Sequence, residues 1–128
     1  MPAIDDGSHE WYAFLVGTGV YQAEAIKNVP QVTKDVDALC EVLQQRGYQR
    51  KNILKLTDAP VNRIKNSLAH FIRDVLQKNP NSTVLVYFSG HGYYPEKGQD
   101  KTYYFLCTDT GYENGKLRLD QCLTVDIY

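Results

Sequence analysis

The chain has 128 residues, of which 43% are hydrophobic and 23% charged, and its 14 Lys and Arg against 15 Asp and Glu give a formal net charge of −1. This length predicts a single domain, and the composition is that of a globular protein and not of a disordered chain. The near-neutral charge gives no reason to expect a nucleic acid or an anionic membrane as partner, and no apolar run approaches the roughly 20 residues of a membrane-spanning helix.

The N-terminus and the cysteines favour a cytoplasmic protein. Residues 1–10 carry acids where a secretory signal carries Lys or Arg, no apolar stretch follows them, and we expect this segment to be flexible. Cys40, Cys107 and Cys122 form an odd set without C-x-x-C spacing, which supports neither a disulfide framework nor a structural zinc site. We therefore expect a reducing compartment and no bound metal.

The hydrophobic pattern of the first half predicts two strands and two helices in alternation. Trp11–Val16 is a short aromatic-rich run typical of a buried strand. The helical spacing of apolar residues over Asp35–Arg46 predicts a helix with Asp35 as its N-cap and Gly47 just past its end. A second strand over Asn52–Leu56 and a second helix over Val61–Leu76 follow.

The second half continues the pattern with further strands. Thr83–Phe88 is a near-continuous run of β-branched and aromatic residues, which predicts a central strand buried on both faces. Thr102–Leu106 predicts another strand, and we expect Leu117–Tyr128 to begin a further helix or turn. The alternation of strands and helices predicts an α/β layer fold with a parallel sheet.

His91 is the first candidate for a functional residue. In open α/β sheets, functional groups gather just beyond the carboxyl ends of the strands, and His91 directly follows the predicted central strand. Gly90 and Gly92 on either side permit a tight turn and leave backbone N–H groups open to a ligand. A histidine in this place can act as a general acid or base near neutral pH, and the alternative is a loop histidine whose glycines serve only the turn.

Five segments resemble, in order and spacing, the caspase-like cysteine peptidases, and metacaspases with their bacterial relatives most of all. The run Thr83–Gly92 is similar to the histidine strand of that family. The other four are similar to its first strand and loop, the opening of its first helix, its second strand and a later strand: Tyr12–Tyr21, Pro30–Leu39, Asn52–Leu56 and Tyr103–Asp109. The resemblance implies a three-layer caspase-like α/β fold over residues 11–128, with a mostly parallel sheet flanked by helices and incomplete at its C-terminus.

The same resemblance implies a cysteine-type endopeptidase that acts on peptide or protein substrates through a Cys–His dyad. His91 corresponds to the dyad histidine, and the Gly92 N–H to an oxyanion donor. Asp35 matches an acidic residue that lines the metacaspase pocket for a basic side chain ahead of the cut, and Gln31 stands where caspases proper place an Arg. Cleavage after Arg or Lys is therefore implied. A plain helix N-cap is the alternative for Asp35, and both roles are compatible.

No cofactor is evident from the residues. Metacaspases commonly respond to calcium, so the resemblance brings calcium into consideration, although the sequence holds no matching cluster of carboxylates.

The nucleophilic cysteine of the caspase pattern is missing from the expected place. It lies about 50 residues after the histidine, which from His91 falls beyond Tyr128. Cys107 ends an apolar run but is too close to His91 in sequence for a parallel crossover with its helix. Cys40 is expected in the core and Cys122 in packing or at the surface. We therefore expect a chain that lacks the nucleophile and is inactive alone.

Three functions remain open at this point. The chain is the histidine-bearing part of an endopeptidase, a truncated and inactive interaction or regulatory module, or a flavodoxin-like domain that binds a small ligand. The absence of a strand next to Thr83–Phe88 would leave an apolar sheet edge, through which we expect association with a second copy or another protein.

Overall fold

A computed structural model describes residues 9–95 and 101–126 of the chain as two small sheets, a hairpin and two helices. In chain order the elements are β1 (Trp11–Gly17), α1 (Gln31–Gln45), β2 (Ile53–Thr57), α2 (Val61–Lys78), β3 (Thr83–Ser89), β4 (Gly92–Tyr93), β5 (Thr102–Leu106), β6 (Tyr112–Glu113), β7 (Lys116–Leu117) and β8 (Cys122–Asp126). Neither helix is at once long enough and apolar enough to cross a membrane, within these two described ranges.

The main sheet is parallel and has the order β2-β1-β3. β1 is the central strand, with Ala13 opposite Ile53 on one side and Leu85 on the other. The prediction that Thr83–Phe88 is the central strand, buried on both faces, is wrong here. β3 pairs only with β1 among the described residues, so it lies at the edge of the sheet and its side chains are only partly buried.

The two helices cover opposite faces of the main sheet and so complete three layers. Ala13 and Leu15 pack against the buried face of α1, whereas Phe14 and Val16 pack on the side of α2. This division follows from the alternation of side chains along a strand, and it explains why β1 is apolar at every position from Tyr12 to Val16. The predicted three-layer α/β fold, with a parallel sheet flanked by helices, is confirmed.

The first helix begins four residues earlier than predicted. Pro30 occupies its N-cap position, and Val32 extends the buried stripe that continues through Val36. Asp35 therefore lies inside the helix, and the prediction that it is the N-cap is wrong. The predicted end is confirmed: Gly47 has a φ of 105°, and the Tyr48 N–H donates to Leu43 O at 3.0 Å, as in a glycine-terminated helix.

The second helix takes its N-terminal cap from a distant part of the chain. Pro60 precedes the first turn and supplies no side-chain cap. Asp109, in the loop after β5, instead accepts a hydrogen bond from the Val61 N–H through Oδ1 at 2.9 Å. This bond connects the second sheet to α2.

The second sheet is antiparallel, with the order β4-β5-β8. The prediction that Leu117–Tyr128 begins a helix or turn is wrong apart from a single 3₁₀ turn at Leu119–Gln121, since β8 is a strand paired with β5. The reason is visible in β8, where Cys122 and Leu123 are buried in two different apolar clusters on opposite faces. Residues 127–128 lie outside the described part of the chain.

The N-terminal approach to β1 is hydrogen-bonded where the structure describes it. The Thr83 N–H donates to Glu10 O at 3.1 Å, and the Glu10 carboxylate accepts from the Tyr12 hydroxyl at 3.0 Å. Most of the segment predicted to be flexible, residues 1–8 of 1–10, lies outside the described residues.

Candidate active site

Three loops meet at the carboxyl edge of the main sheet, and His91 lies on one of them. The Thr18 N–H, after β1, donates to Ser89 O at the end of β3 at 2.9 Å, and the Asp58 N–H, after β2, donates to Gly17 O at 2.8 Å. The carboxyl ends of parallel strands are the usual place for functional groups in α/β sheets. The structure thus places His91 at the edge where the sequence argument expects it.

Asp58 fixes the loop that follows β1. Its Oδ1 accepts hydrogen bonds from the Gly19 N–H at 2.8 Å and the Val20 N–H at 3.0 Å. Its backbone has a φ of 52°, a left-handed conformation that Asp tolerates better than most residues. Sequence reasoning missed Asp58, and the available signal was a carboxylate placed directly after a strand.

Tyr21 holds the backbone of His91. The buried Tyr21 hydroxyl donates to Thr18 O at 3.0 Å and accepts from the His91 N–H at 2.8 Å. Burial raises the pKa of this phenol, so the hydroxyl keeps its proton at neutral pH. Gly90 completes the turn with a φ of 144°, and a Cβ there would approach Thr18 O to 2.7 Å.

The imidazole of His91 is oriented by a ring contact and a carbonyl oxygen. It lies against the Tyr21 ring, with 5.2 Å between the ring centroids, and its Nε2 is 2.7 Å from Lys27 O. Because a carbonyl oxygen only accepts, Nε2 carries the proton of this bond. In the neutral ring Nδ1 is then the basic nitrogen, and it is the atom that can take and return a proton.

Gly92 begins β4, immediately after His91. It pairs with Phe105 of β5, and the Leu106 N–H donates to His91 O at 3.0 Å. A Cβ at Gly92 would collide with the phenol of Tyr103, so no larger residue fits this position without a shift of that ring. The oxyanion role of Gly92 stays a prediction.

Asp35 is exposed on α1, and its hydrogen-bond partner is not His91. Its Oδ1 accepts a hydrogen bond from the Gln31 side chain at 3.3 Å, whereas His91 contacts Lys27, ahead of the same helix. The structure therefore brings Gln31 and Asp35 together but joins neither to His91 by a direct hydrogen bond. The pocket role of Asp35 stays a prediction.

The three cysteines are all buried and unpaired. Cys107 is 1% exposed, packs in the cluster that contains Phe14 and Val16, and has its pKa raised by burial to about 12. Burial also raises the pKa of Cys122, and Cys40 packs in the core beneath α1, as predicted. Since the thiolate and not the thiol is the nucleophile, Cys107 is unsuited to attack in this position.

The described ranges contain no group of three or more His, Cys, Asp or Glu side chains placed to bind a metal ion. The calcium response implied by the metacaspase resemblance stays a prediction.

Comparison with known proteins gives a match to a family model. A family model described as the caspase domain matches residues 11–126, nearly the whole chain. Neither the curated proteins nor the solved structures contain a match to this chain.

Proposed function

The chain belongs to the caspase-domain family of cysteine peptidases, and we propose that it supplies the histidine half of a Cys–His endopeptidase site. The observation that carries the proposal is the bond from His91 Nε2 to Lys27 O, at 2.7 Å. It fixes the ring at the carboxyl edge of the sheet with Nδ1 as the basic atom. A dyad histidine needs this arrangement, because one nitrogen must exchange protons while the other holds the ring in place.

In the proposed reaction, His91 Nδ1 takes the proton of a cysteine thiol, and the resulting thiolate attacks the carbonyl carbon of the scissile bond. The Gly92 N–H stabilises the negative charge that develops on the carbonyl oxygen. The imidazolium then gives its proton to the departing amine as the C–N bond breaks, which leaves an acyl-enzyme thioester for water to hydrolyse.

The thiol of this proposal comes from a segment that is not among these 128 residues, because the three cysteines present are buried. The edge of β3 that faces away from β1 supports this origin, because no described strand pairs with it. Beside it lies an apolar groove of about 610 Å³, lined by α2, β3 and β8 through residues that include Leu68, Val86 and Val125. A strand added parallel to β3 would end at the same sheet edge as His91.

We further propose cleavage after Arg or Lys, with Asp35 as the acidic residue of the pocket. Its carboxylate is exposed and accepts only the Gln31 amide, and none of the described Lys or Arg side chains forms an ion pair with it. A substrate guanidinium would find there an acceptor that is not already paired with a cation.

The three free thiols suit a reducing compartment and support a cytoplasmic location as part of the proposal. Calcium has no place in the proposed chemical steps. Adding Ca²⁺ during the assay below tests the response that the metacaspase resemblance implies.

The first test is the sequence of the gene beyond the Tyr128 codon. An open frame with an apolar run that ends in Cys, about 50 residues after His91, supports the endopeptidase. The protein of that full frame should then hydrolyse fluorogenic peptides after Arg or Lys. His91→Ala should lower kcat/KM by at least about 10²-fold, the scale of general acid–base catalysis.

His70→Ala is the matched control, because His70 is an exposed histidine on α2, and it should leave kcat/KM unchanged. The 128-residue chain alone should cleave none of these peptides. If that chain does cleave the peptides and Cys107→Ala abolishes the cleavage, Cys107 is the nucleophile and the proposal is refuted.

A second candidate function, an inactive interaction module, is favoured by the same edge of β3, unpaired within the described ranges, and by its apolar groove. It predicts a stop codon directly after Tyr128. It also predicts association at micromolar concentration in sedimentation experiments, weakened by Val86→Lys at the exposed edge of the groove.

A further inference from the structure

A second recess lies beside β4 and is lined mainly by tyrosine and leucine. Its volume is about 390 Å³, at the lower end of the range for small-ligand sites, and its walls are Tyr93, Tyr112, Gly115, Lys116, Leu117 and Leu119. The two tyrosine side chains are each 42% exposed, so their rings are open to an incoming group.

This recess is connected to His91 through packed side chains. The Tyr93 ring lies 6.4 Å from that of Tyr104, and both Tyr104 and Leu117 pack against the cluster that contains Tyr21. The Tyr21 ring in turn contacts the His91 imidazole. The recess and the imidazole therefore lie beside the same buried apolar cluster.

The backbone of β4 offers a way to place a peptide between them. β4 begins one residue after His91, and among the described residues its only strand partner is β5, on one side. An extended peptide can add to the edge of a sheet as a further strand. Tyr93 is two positions after His91, and a peptide added as a strand rises by the same distance per residue as β4, about 3.3 Å. A scissile bond held at His91 would therefore lie roughly two peptide residues away from Tyr93.

The charges around the recess disfavour a basic side chain. Lys116 lies on its wall, and its cross-strand neighbour Glu113 is already paired with Arg118 at 3.0 Å. None of the described acids forms an ion pair with Lys116. The recess thus presents a positive charge from Lys116, whereas the exposed carboxylate of Asp35 presents a negative one.

We propose that the recess is a specificity subsite for a bulky apolar or aromatic side chain of the substrate peptide, within two residues of the scissile bond. This inference rests on the proposed peptidase function for its peptide ligand. The substrate it describes combines an Arg or Lys at the cut with a Phe-like or Leu-like residue nearby.

Binding to the 128-residue chain tests the subsite without any thiol. The probes are capped heptapeptides with a central Arg among glycines, with Phe, Ala or Lys two positions before or after it. By fluorescence anisotropy or NMR titration, one Phe peptide should bind about tenfold more tightly than its Ala counterpart. The Lys counterpart should bind no more tightly than Ala.

Tyr93→Ala should remove the preference for Phe. Tyr94→Ala is the matched control, because Tyr94 is 43% exposed and stacks on Tyr103 instead of lining the recess, and it should keep the preference. Tyr112→Ala removes the aromatic ring on the opposite wall of the recess, in the β6–β7 hairpin, and should also weaken the preference for Phe. Because this variant leaves β4 unchanged, it separates loss of the recess from a folding defect in β4.

The outcomes separate this inference from the peptidase proposal. Equal affinities for the Phe and Ala peptides overturn the subsite, even if the full-frame protein cleaves after Arg. A preference for Phe that is lost in Tyr93→Ala and kept in Tyr94→Ala supports the subsite, even if no cleavage is found.

Discussion

Tyr21 is the residue through which the backbone of His91 is held, because its hydroxyl joins Thr18 O to the His91 N–H. The position of His91 was predictable, since a histidine between two glycines after an apolar strand is a local pattern. Its partners were not, because Tyr21 and Lys27 lie 70 and 64 residues away in sequence. No local periodicity reports such a contact.

Tyr21→Phe keeps the ring but removes both hydrogen bonds. We expect a loss of about 1–3 kcal/mol in the free energy of unfolding, because the His91 N–H and Thr18 O lose their partner. We also expect a change in the chemical shifts of the His91 imidazole, measured by ¹³C-edited NMR. Tyr21 thus acts on His91 as a positioning residue.

Tyr12→Phe is the control for Tyr21→Phe, since Tyr12 is also buried and its hydroxyl also donates a hydrogen bond, to Glu10 at 3.0 Å. It should cost stability without altering the His91 signals. If Tyr21→Phe leaves those signals unchanged as well, Tyr21 does not position the histidine.

At the scale of elements, local patterns located α2 and the strands β1, β2, β3 and β5, and they failed where long-range pairing decides. β3 looks like a central strand because its sequence is apolar throughout, yet its place at the sheet edge depends on which strands pair with it. β8 is a strand because β5 pairs with it along five positions. The start of α1 was missed because Val32 extends its buried stripe ahead of Asp35.

Asp109 shows how one element depends on another, because it caps α2 from the loop after β5. Asp109→Ala should reduce the free energy of unfolding by about 1 kcal/mol, the usual cost of losing a helix cap, in a urea titration. Asp74→Ala removes an exposed acid from the same helix, where it pairs with Lys78, and should cost about 0.5 kcal/mol or less. Equal losses in the two variants would show that Asp109 does not act as a cap.

At the scale of the whole molecule, one apolar cluster holds the two sheets and α2 together. It joins Phe14 of the main sheet, Ile64 of α2 and Leu123 of the second sheet, and Cys107 lies within it. Burial in such surroundings disfavours an ionised thiol more than the backbone hydrogen bond of Leu123 favours it. Burial therefore makes Cys107 unsuited to act as a nucleophile, and it also makes the free energy of unfolding depend on pH.

The expected direction follows from the two pKa values of the Cys107 thiol. Its ordinary pKa is 9.0, and burial raises it to about 12 in the folded chain. Well below pH 9 the thiol is protonated in both states and the folded state keeps its full stability. Between pH 9 and 12 the unfolded chain loses the proton while the folded chain retains it, so stability falls as pH rises, by up to about 1.4 kcal/mol per pH unit.

Urea titrations at pH 8, 9.5 and 10.5 measure this fall, to which the buried Tyr21 and Cys122 contribute in the same direction. Cys107→Ala should be less stable than the wild type at pH 8, because it leaves a small cavity, but should lose less stability as the pH rises. Ile64→Val is the control, since it costs about 1 kcal/mol in the same cluster without removing a titrating group. It should keep the pH dependence of the wild type. If Cys107→Ala keeps that dependence too, the thiol is not buried in solution as described, and its exclusion as a nucleophile fails with it.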